Sequence, residues 1–455
     1  MRRLILPLAL LVAVVLTVPA THAARPAKRY VAPHGSGALF LITGHGFGHG
    51  VGMGQWGAQG YALHGVSYEE ILAADYPGTA LTQTTVRKIR VLLADGKKRL
   101  SISSDKPYTL VDGKGKTDSV PAGSSSFTAG STTYPATFSP ARGSVLSLSG
   151  TAYRGKFVVS LVSGRLRAVN VVSLQQYLDG NVTAEMPASW LPDALDAQAV
   201  ASRSYALAGR KTGAAYDVLV TSQSYLGVAG ETPQGTAAVD ATKGQVLTYD
   251  GKVATTVYSS STGGRTQSAT DAWGGGAPYL VSVKDPYDTV SPWHNWGPIP
   301  VTGKALAAAL KLSGKPVDAT VKRNGSKRVA QLEVTTLAHG AHSPKAIAGG
   351  TVAGALALRS TWFSVGVLSL LPPSPNVAVK PRTTVTLTGT VRGEKHVLLQ
   401  ARPSGGSWMD LDSVTPDPAT HAISIDVTPT ATTEYRLATS TAAAAYIRIT
   451  VSSGS

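Results

Sequence analysis

The 455-residue sequence predicts an α+β fold followed by a small all-β sandwich at the C-terminal end. Three observations predict it. Residues 85–172 are rich in β-branched residues and turn signals, which favours paired strands. Residues 174–208 combine helically spaced apolar residues with many alanines, which favours helices. After a stiff proline-rich linker at 371–375, short strand-like runs separated by turns recur to the end of the chain.

Residues 1–23 have the three zones of a secretory signal. Arg2 and Arg3 precede an apolar run, and small residues surround Ala23, after which cleavage is expected. The run is shorter than the about 20 residues that span a membrane, and an uncleaved anchor is the alternative. Residues 24–34 are predicted to form a flexible leader, and the mature chain is predicted to be secreted.

Basic residues outnumber acidic ones, with 42 Lys and Arg against 26 Asp and Glu and a formal net charge of +16. Loss of Arg2 and Arg3 with the signal leaves 40 basic and 26 acidic residues, a charge of +14. Such a charge attracts a secreted protein to anionic wall polymers, although it could also serve solubility alone. Nucleic acid is a poor candidate partner because the chain has no helix-turn-helix, RNP or zinc-finger pattern. The chain has no cysteine, which excludes disulfides and thiol chemistry.

A glycine-rich block, GHGFGHGVGMGQWGA, covers residues 44–58. Its glycines disfavour a helix because each costs about 1 kcal/mol relative to alanine. In an extended conformation every side chain would lie on one face, with bare backbone on the other, which lets a ligand approach closely. His49 and Gln55 are therefore predicted to point into a cleft.

His45 and His49 lie four residues apart and raise the alternative of a zinc site completed by His64 and a distant carboxylate. Zinc needs three or four protein ligands, and the chain has neither an HExxH motif nor a cysteine. Hydrogen bonding or packing is therefore the preferred interpretation of these histidines. The block also lacks the GxxxxGK[ST] pattern of a phosphate loop. No metal and no cofactor are expected.

Local signals predict a capped helix and two hairpins. Ser67 and Glu70 form a capping-box pattern ahead of an apolar run. The dipeptides Ser163-Gly164 and Asp250-Gly251 each separate two strand-like runs and favour tight hairpin turns. The second hairpin would deliver the run SSSTGG at 259–264. Ser260 in this run is a possible substrate contact. A serine nucleophile is not expected, since no nucleophile elbow surrounds it, and the run is otherwise an ordinary turn.

Two predicted helices flank an isolated carboxylate in the stretch YLDGNVTAEMPASWLPDALDAQAVASRSYAL, which runs from 177 to 207. Ser173 has the pattern of a helix N-terminus, and Pro187 closes the element that carries Glu185 near its end. The second helix is predicted over 192–208, with Gly209 in a left-handed conformation at its end. Because few other acids surround Glu185, we interpret it as an active-site acid.

One face of the second helix is polar. Gln198, Ser202 and Tyr205 recur at offsets of four and seven residues, with Arg203 beside them. Such a face could bind sugar hydroxyl groups. The alternative is a buried helix on which Gln198, Arg203 and Tyr205 only satisfy neighbouring backbone groups.

These segments resemble the SpoIID/LytB family of stage II sporulation protein D-like proteins. The AEMP tetrapeptide, the following AQAVASRSY run and the GHGVGMGQ block carry the resemblance. It extends over residues 44–370 through further runs, namely YRG at 153–155, VYSSSTGG at 257–264, WGGGAPYLVSV at 273–283 and LRSTWF at 358–363.

The resemblance implies a lytic transglycosylase that acts on peptidoglycan glycan strands in the cell wall, with Glu185 as its catalytic glutamate. The implied substrate-binding positions are Gln198, Arg203, Tyr205, His49, Gln55, Ser260, Gly263 and Gly264. Some relatives are described as amidase enhancers, so a cell-wall amidase is an implied partner and a noncatalytic glycan-binding role is the alternative function.

The chain departs from the family pattern at a few positions. Gly54 stands where serine is expected, Gly180-Asn181-Val182 replaces Gly-Val-Val, and Leu191 separates Trp190 from the following proline. The glycine-rich block also precedes Glu185 instead of following it. The fold must therefore bring this block back to the glutamate.

The number of carboxylates indicates the mechanism. Glycosidases normally use two carboxyl groups, whereas Asp179, Asp193 and Asp196 lie at helix ends where backbone donors are their expected partners. Glu185 alone suffices if it protonates the bridging oxygen and then takes the proton of the sugar's C6 hydroxyl, which gives a 1,6-anhydromuramyl end. Protonation near neutral pH requires that the carboxyl be desolvated, which Ala184, Met186 and Trp190 favour. Hydrolysis by water is a third alternative.

Residues 376–455 are predicted to fold independently as a β-sandwich, for which an immunoglobulin-like arrangement is one form. Attachment or spacing is their expected contribution. Trp408 could stack on a sugar, but a core position is the preferred interpretation.

Overall fold

The computed structural model describes residues 29–211, 213–374 and 376–452. The predicted signal, most of the predicted leader and Pro375 of the predicted linker lie outside these residues. Helices and strands alternate irregularly along the chain in mixed sheets, which confirms the α+β class. None of the helices in the described ranges combines the length and apolar character that crossing a membrane requires.

The helices and strands have the following bounds. The helices are α1 (Gln55–Leu63), α2 (Tyr68–Asp75), α3 (Leu174–Asp179), α4 (Val182–Glu185), α5 (Pro192–Ala208), α6 (Pro233–Ala241), α7 (Ala269–Trp273), α8 (Gly303–Leu310) and α9 (Gly349–Ala355). The strands are β1 (Tyr30–Val31), β2 (Leu39–Gly44), β3 (Met53–Gly54), β4 (Ala80–Gln83), β5 (Lys88–Lys97), β6 (Arg99–Ser104), β7 (Tyr108–Val111), β8 (Thr117–Val120), β9 (Gly123–Thr128), β10 (Ala136–Ser139), β11 (Leu146–Leu148), β12 (Thr151–Tyr153), β13 (Lys156–Val162), β14 (Arg165–Ser173), β15 (Val218–Leu219), β16 (Gln245–Tyr249), β17 (Lys252–Val253), β18 (Tyr258–Ser259), β19 (Trp296–Thr302), β20 (Lys315–Arg323), β21 (Val329–Ala338), β22 (Ala341–Ala348), β23 (Phe363–Leu371), β24 (Val377–Val379), β25 (Val385–Arg392), β26 (Leu398–Pro403), β27 (Met409–Ser413), β28 (Ala422–Val427), β29 (Thr433–Ala438), β30 (Ala442–Ala443) and β31 (Ile447–Val451).

The described chain forms two compact units. Unit 1 is continuous from Gly50 to Ser291, and unit 2 combines the segment that ends at His49 with the chain from Pro292 onward. The boundary between them falls inside the glycine-rich block.

Unit 1 combines a seven-stranded sheet, in the order β15-β5-β14-β13-β10-β7-β8, with helices that surround α5. The β13–β14 and β16–β17 hairpins confirm the two predicted turns, and all four turn residues have positive φ as tight hairpins require. Helix α5 packs against α1, α2, α6 and β16. Its buried alanines, among them Ala197 and Ala201, leave room for these neighbours.

The predicted helix caps have mixed outcomes. Ser67 and Glu70 form the capping box of α2, and the Ser173 hydroxyl accepts the Gln176 N–H at the start of α3. Gly209 ends α5 with φ −84°, so the predicted left-handed conformation is wrong there. Helix α5 instead ends in a right-handed turn that any residue can adopt.

The glycine-rich block is not extended, which corrects the sequence-based expectation. Gly46, Gly48, Gly50 and Gly52 have φ values of 73°, 101°, 69° and 67°, a region that glycine enters at little cost because it has no Cβ. The block is therefore a series of turns. Gly44 ends β2, and Met53–Gly54 form β3, which pairs with β18. Residues 55–58 begin α1, so a helix forms at this end of the block despite its glycines.

Unit 2 is built in layers around the sheet β19-β2-β23-β25-β28. Side chains on β2 alternate between two cores, as the period of a strand requires. Leu39 and Leu41 pack with the facing sheet of β1, β24, β26, β27 and β29–β31, which completes a β-sandwich. Phe40 and Ile42 pack with α8, α9 and the hairpins β20–β22 on the opposite side.

This topology corrects the predicted domain boundaries. Strand β23 continues through Leu371 and pairs with β25, so no linker separates the C-terminal strands from the preceding chain. Tyr30 and Val31 pair with Ala442 and Ala443, so this end of the predicted leader is a strand. The C-terminal residues share a sheet with β2 and β23 because strand edges need backbone partners.

The shared core of unit 2 gives a test of this corrected boundary. Leu387 on β25 is fully buried against the residues of β2 and β23, whereas Leu411 on β27 is 51% exposed. Leu387→Ala is expected to lower the free energy of unfolding by about 2–5 kcal/mol. Leu411→Ala is expected to change it by at most about 0.5 kcal/mol. Urea unfolding of both variants measures the difference, and equal values would contradict a core shared across position 371.

Candidate active site

Glu185 lies at the end of the single-turn helix α4, and a following loop is held against that turn. The Asn181 side-chain amide donates to Ser224 O at 3.1 Å, and the Leu226 N–H donates to Gly180 O at 3.1 Å. A Cβ at Gly180 would lie only 2.5 Å from Gly227 O. Gly180 thus lets the loop approach closely, and Asn181 holds it in place by a hydrogen bond.

Three donors converge on Glu185. The Ser224 N–H donates to its Oε1 at 2.5 Å, and the Tyr258 hydroxyl lies against the same carboxyl group. The Gln55 amide donates to the Glu185 backbone carbonyl at 3.2 Å. Burial raises the pKa of Glu185 above its ordinary value, while the hydrogen bonds from Ser224, Tyr258 and Gln55 lower it in part. The net effect is a carboxyl group that holds its proton to a higher pH than an exposed glutamate.

A chain of hydrogen bonds that includes Gln55 and Tyr258 joins five segments of unit 1. Its successive members, each donating to the next, are Gln55 Nε2 to Gln198 Oε1 (3.4 Å), Gln198 Nε2 to Ser202 Oγ (2.8 Å), Ser202 Oγ to the Tyr258 hydroxyl (3.4 Å) and the Tyr258 hydroxyl to Gln223 Oε1 (2.7 Å). Gln223 Nε2 then donates to the Tyr177 hydroxyl at 3.0 Å. The structure thus brings Gln55 and Gln198 to Glu185. Gln198 is fully buried and positions Gln55.

Tyr205 also lies near the carboxyl group. Its pKa is raised by burial first and then by the charge of Glu185. The side chain is partly exposed, unlike that of Gln198. Tyr205 is therefore close enough to Glu185 for the charge of the carboxylate to act on its hydroxyl.

Arg203 does not line this site, and the predicted contact with sugar is replaced by a structural role. The side chain is fully buried, and its guanidinium donates to Gln245 O at 3.0 Å and Val239 O at 3.3 Å, with Thr242 Oγ1 also in reach at 3.4 Å. These acceptors lie at the end of α6 and the start of β16. Arg203 thus ties α5 to the next two elements, as the buried-helix alternative expects.

The residues at 260–264, which include the predicted substrate contacts, also form hydrogen bonds within the protein. Ser261 Oγ and the N–H groups of Thr262 and Gly263 all donate to the buried Asp288 carboxylate, at 2.8 to 3.0 Å. The Gly264 N–H donates to Thr262 Oγ1. Ser260 uses its carbonyl to accept the Trp56 N–H at 2.9 Å. The run is a turn folded around a carboxylate, which leaves Gly263 and Gly264 occupied by internal bonds.

The same turn explains glycine at position 54. A Cβ there would lie 2.6 Å from Thr262 Cγ2 and 2.8 Å from Asp285 Oδ2. Serine would therefore require both neighbours to move.

The histidines have separate surroundings. His49 and His45 belong to unit 2, where the His45 ring lies 4.9 Å from that of Trp362 and burial lowers its pKa. In unit 1, His64 Nδ1 lies 2.8 Å from Gly60 O, and its ring stacks on Tyr287 at 4.1 Å. Across the described ranges, no group of three or more His, Asp or Glu side chains is arranged to hold a metal. The contribution of His49 to the Glu185 cleft stays a prediction.

Other acids near Glu185 in sequence have other partners. Asp193 Oδ1 accepts the Tyr68 N–H at 3.0 Å. Burial, followed by the charges of Asp193 and Glu69, raises the pKa of Asp196 to about 7. Burial and the charge of Glu231 raise that of Asp179 to about 6. The largest influences on Glu185 include no second carboxylate.

Sequence reasoning missed three residues of the site. Ser224 and Gln223 lie in a loop without any pattern that predicts chemistry, and Ser224 acts on Glu185 through both its backbone N–H and its side chain. Tyr258 lies inside the VYSSSTGG run that carries the family resemblance, so its position was a detectable signal.

The chain is similar in sequence to known proteins in the region of this site. The family model described as SpoIID, stage II sporulation protein, matches residues 162–249, which include Glu185, Ser224 and α5. This region belongs to the SpoIID family. The amidase enhancer of Bacillus subtilis (strain 168) is 40% identical over 116 residues, 26% of this chain and 16% of that protein.

Two stage II sporulation proteins D are also similar to the chain. The protein of Bacillus subtilis (strain 168) is 32% identical over 145 residues, and that of Bacillus amyloliquefaciens is 33% identical over 144 residues. Each match covers 28% of this chain and 42% of the relative. The chain therefore spans less than half the length of each of these relatives. No solved structure gives a significant match. The predicted resemblance to the SpoIID family is confirmed over residues 162–249, and this region contains the carboxyl group around which the site is built.

The structural role of Arg203 can be separated from a binding role. Arg203→Lys removes donors from buried acceptors, which is expected to lower the free energy of unfolding by about 1–3 kcal/mol. Arg210→Lys, at an exposed arginine that lies 3.5 Å from Asp217 and keeps its charge as lysine, is the matched control and should change it by less than about 1 kcal/mol. Denaturant unfolding measures both. A stable Arg203→Lys protein with weakened glycan binding would instead support a sugar contact.

Burial of Glu185 also predicts a pH-dependent stability. The folded chain keeps this proton above pH 4.5, the ordinary pKa, where the unfolded chain loses it, so the contribution of Glu185 to stability falls as pH rises toward the raised pKa. Glu185→Gln carries no such charge. Its thermal midpoint should exceed that of the parent chain at about pH 7 and match it at about pH 4.

Thermal unfolding at the two pH values tests this expectation. Glu333→Gln, at an exposed position of β21, controls for the loss of one negative charge. A Glu185→Gln midpoint that falls below the parent at about pH 7 would show that the ionised form is the one the fold favours.

Proposed function

We propose that this chain is a secreted peptidoglycan lytic transglycosylase in which Glu185 acts first as general acid and then as general base. The observation that carries the proposal is one partly buried carboxyl group, with a pKa raised by loss of solvent, held by the Ser224 N–H and the Tyr258 hydroxyl. A general acid must be protonated when substrate arrives, and burial supplies that state. The SpoIID region supports action on the cell wall as the setting.

In the first step the Glu185 proton passes to the oxygen that bridges MurNAc C1 and the next sugar, and the C1–O bond breaks. The leaving sugar departs with a free hydroxyl group, and positive charge develops at C1 and its ring oxygen. Glu185 is now a carboxylate. In the second step it takes the proton of the C6 hydroxyl as O6 bonds to C1, which yields the 1,6-anhydromuramyl end and restores the acid.

Tyr258 suits both states of the carboxyl group. Its single hydroxyl proton has two acceptors within reach, Gln223 Oε1 at 2.7 Å and the Glu185 carboxylate. With Glu185 protonated, Tyr258 can donate to Gln223. After proton transfer it can turn its hydrogen bond to the carboxylate, while the Ser224 N–H stays in place. The charge formed between the two steps is thereby stabilised without any movement of the backbone.

A mechanism with two carboxyl groups has less support. Retaining and inverting glycosidases place the second group about 5 to 9.5 Å from the first. Asp179 interacts with the charges of Glu231 and Asp240, and Asp196 with those of Asp193 and Glu69. Intramolecular attack by the C6 hydroxyl needs only the one group that is present.

A noncatalytic role is the second candidate. The relative with 40% identity is named an amidase enhancer, and its match covers 26% of this chain. In that case the Glu185 cleft would bind glycan strands without cleaving them and would present them to a cell-wall amidase. The excess of basic residues would favour attachment to anionic wall polymers in either case.

Product analysis separates the candidates. The purified protein is incubated with intact peptidoglycan and with amidase-treated, peptide-free strands, and mass spectrometry identifies the ends that form. We expect 1,6-anhydromuramyl ends from the parent chain and at least about a hundredfold fewer from Glu185→Gln, since general acid catalysis contributes at least that factor.

Asp196→Asn is the matched control because its carboxyl group also has a raised pKa in the same unit. It should keep parent activity. Reducing ends would indicate hydrolysis, binding without new ends would support the enhancer role, and loss of activity in Asp196→Asn alone would assign the acid elsewhere.

A further inference from the structure

Two tryptophans lie side by side next to Glu185. The Trp56 and Trp190 ring centroids are 4.7 Å apart, with 59° between the ring planes. Both side chains are partly exposed, and the neighbouring Leu191 is 36% exposed. Tryptophans that serve only packing are normally covered, so this pair presents aromatic surface to solvent within unit 1.

Helix α1 fixes the pair relative to the acid. Gln55 donates to the Glu185 carbonyl, and the next residue, Trp56, donates its N–H to Ser260 O, two residues beyond Tyr258. One turn later, Gln59 Oε1 accepts the Leu191 N–H at 3.0 Å. Gln55 and Leu191 thus join α1 to the segment that carries Glu185. Trp56 directly follows Gln55, and Trp190 directly precedes Leu191.

The segment from Glu185 to Trp190 is also compact. The Trp190 N–H donates to Pro187 O at 3.1 Å, which closes a turn after the acid. This turn and the tether at Leu191 hold Trp190 against Trp56. The aromatic pair is thus tied by hydrogen bonds to the segment that carries Glu185.

We propose that Trp56 and Trp190 form a sugar-stacking subsite that holds a pyranose ring of the glycan strand beside Glu185. The inference rests on the proposed function for its ligand, since the sugar is that of the same strand. A pyranose ring presents C–H groups on its face and hydroxyls at its edge. An aromatic ring matches the apolar face, while the hydroxyl edge stays available for polar contacts.

The subsite is a positioning device for the reaction. A strand held on the tryptophans places its next glycosidic oxygen at the carboxyl group, and the C1 to O6 attack then begins from an ordered ring. Stacking persists through both steps, so its loss should weaken binding more than it slows turnover.

The test measures binding in a chain that cannot cleave. Each tryptophan is changed to Phe and to Leu in the Glu185→Gln background, and affinity for peptide-free strands is measured by calorimetry. Phe keeps a ring face, whereas Leu keeps only apolar bulk. We expect each Leu variant to bind about five- to tenfold more weakly and each Phe variant to stay within about threefold. In the parent background, the Leu variants should raise KM more than they lower kcat.

Thermal unfolding verifies that each variant is folded, and Leu161→Ser, an exposed apolar position of β13, controls for general loss of apolar surface. Equal affinities of the Phe and Leu variants would overturn the stacking subsite, as would absence of strand binding by Glu185→Gln. If the Leu variants lose binding although the parent chain forms no anhydro ends, the subsite stands and the transglycosylase proposal fails.

Discussion

Removing the Glu185 carboxyl group from water shapes the structure around it. A buried carboxyl group without partners is costly, and one that ionises there is costlier still. Glu185 is stabilised by a backbone N–H from Ser224, a hydroxyl from Tyr258 and an amide from Gln55, which come from three different segments. Each donor is itself bonded further, so the acid lies at the end of a satisfied polar network. This arrangement keeps the Glu185 carboxyl group protonated until substrate binds. The same donors stabilise the carboxylate that remains after the proton is transferred.

The framework that supports this network consists of close backbone contacts. The loop of Ser224 can reach the acid because glycine at 180 admits the Gly227 carbonyl. The turn that follows Tyr258 is folded around the Asp288 carboxylate, and Arg203 joins α5 to α6 and β16. These interactions explain why several residues that resemble binding positions are buried. Their contribution is to the shape of the site and not to contact with ligand.

The sequence predicted what depends on local chemistry. The α+β class, the capping box at Ser67, the turns at Ser163-Gly164 and Asp250-Gly251 and the special position of Glu185 follow from short-range patterns. It did not predict that β2 and β23 share a sheet with β25, because strand pairing across more than 300 residues leaves no local signal. Nor could it find Ser224, because no local pattern in its loop shows that its backbone N–H and side chain reach Glu185. Arg203 was misassigned because a polar side chain on an alanine-rich helix has the same pattern whether it faces a ligand or a backbone carbonyl.

The protonation of Glu185 is the central claim, and its pKa can be measured directly. The chain is labelled with ¹³C at the glutamate side-chain carboxyl groups, the Glu185 signal is assigned by its absence in Glu185→Gln, and its shift is followed as the pH is varied. The account predicts a midpoint clearly above 4.5, and a still higher midpoint in Tyr258→Phe, which loses a hydrogen bond that favours the carboxylate. Tyr225→Phe, whose hydroxyl donates to Asn170 instead, should leave the midpoint unchanged. A midpoint at or below 4.5 would contradict the account, because Glu185 would then be ionised when the substrate arrives.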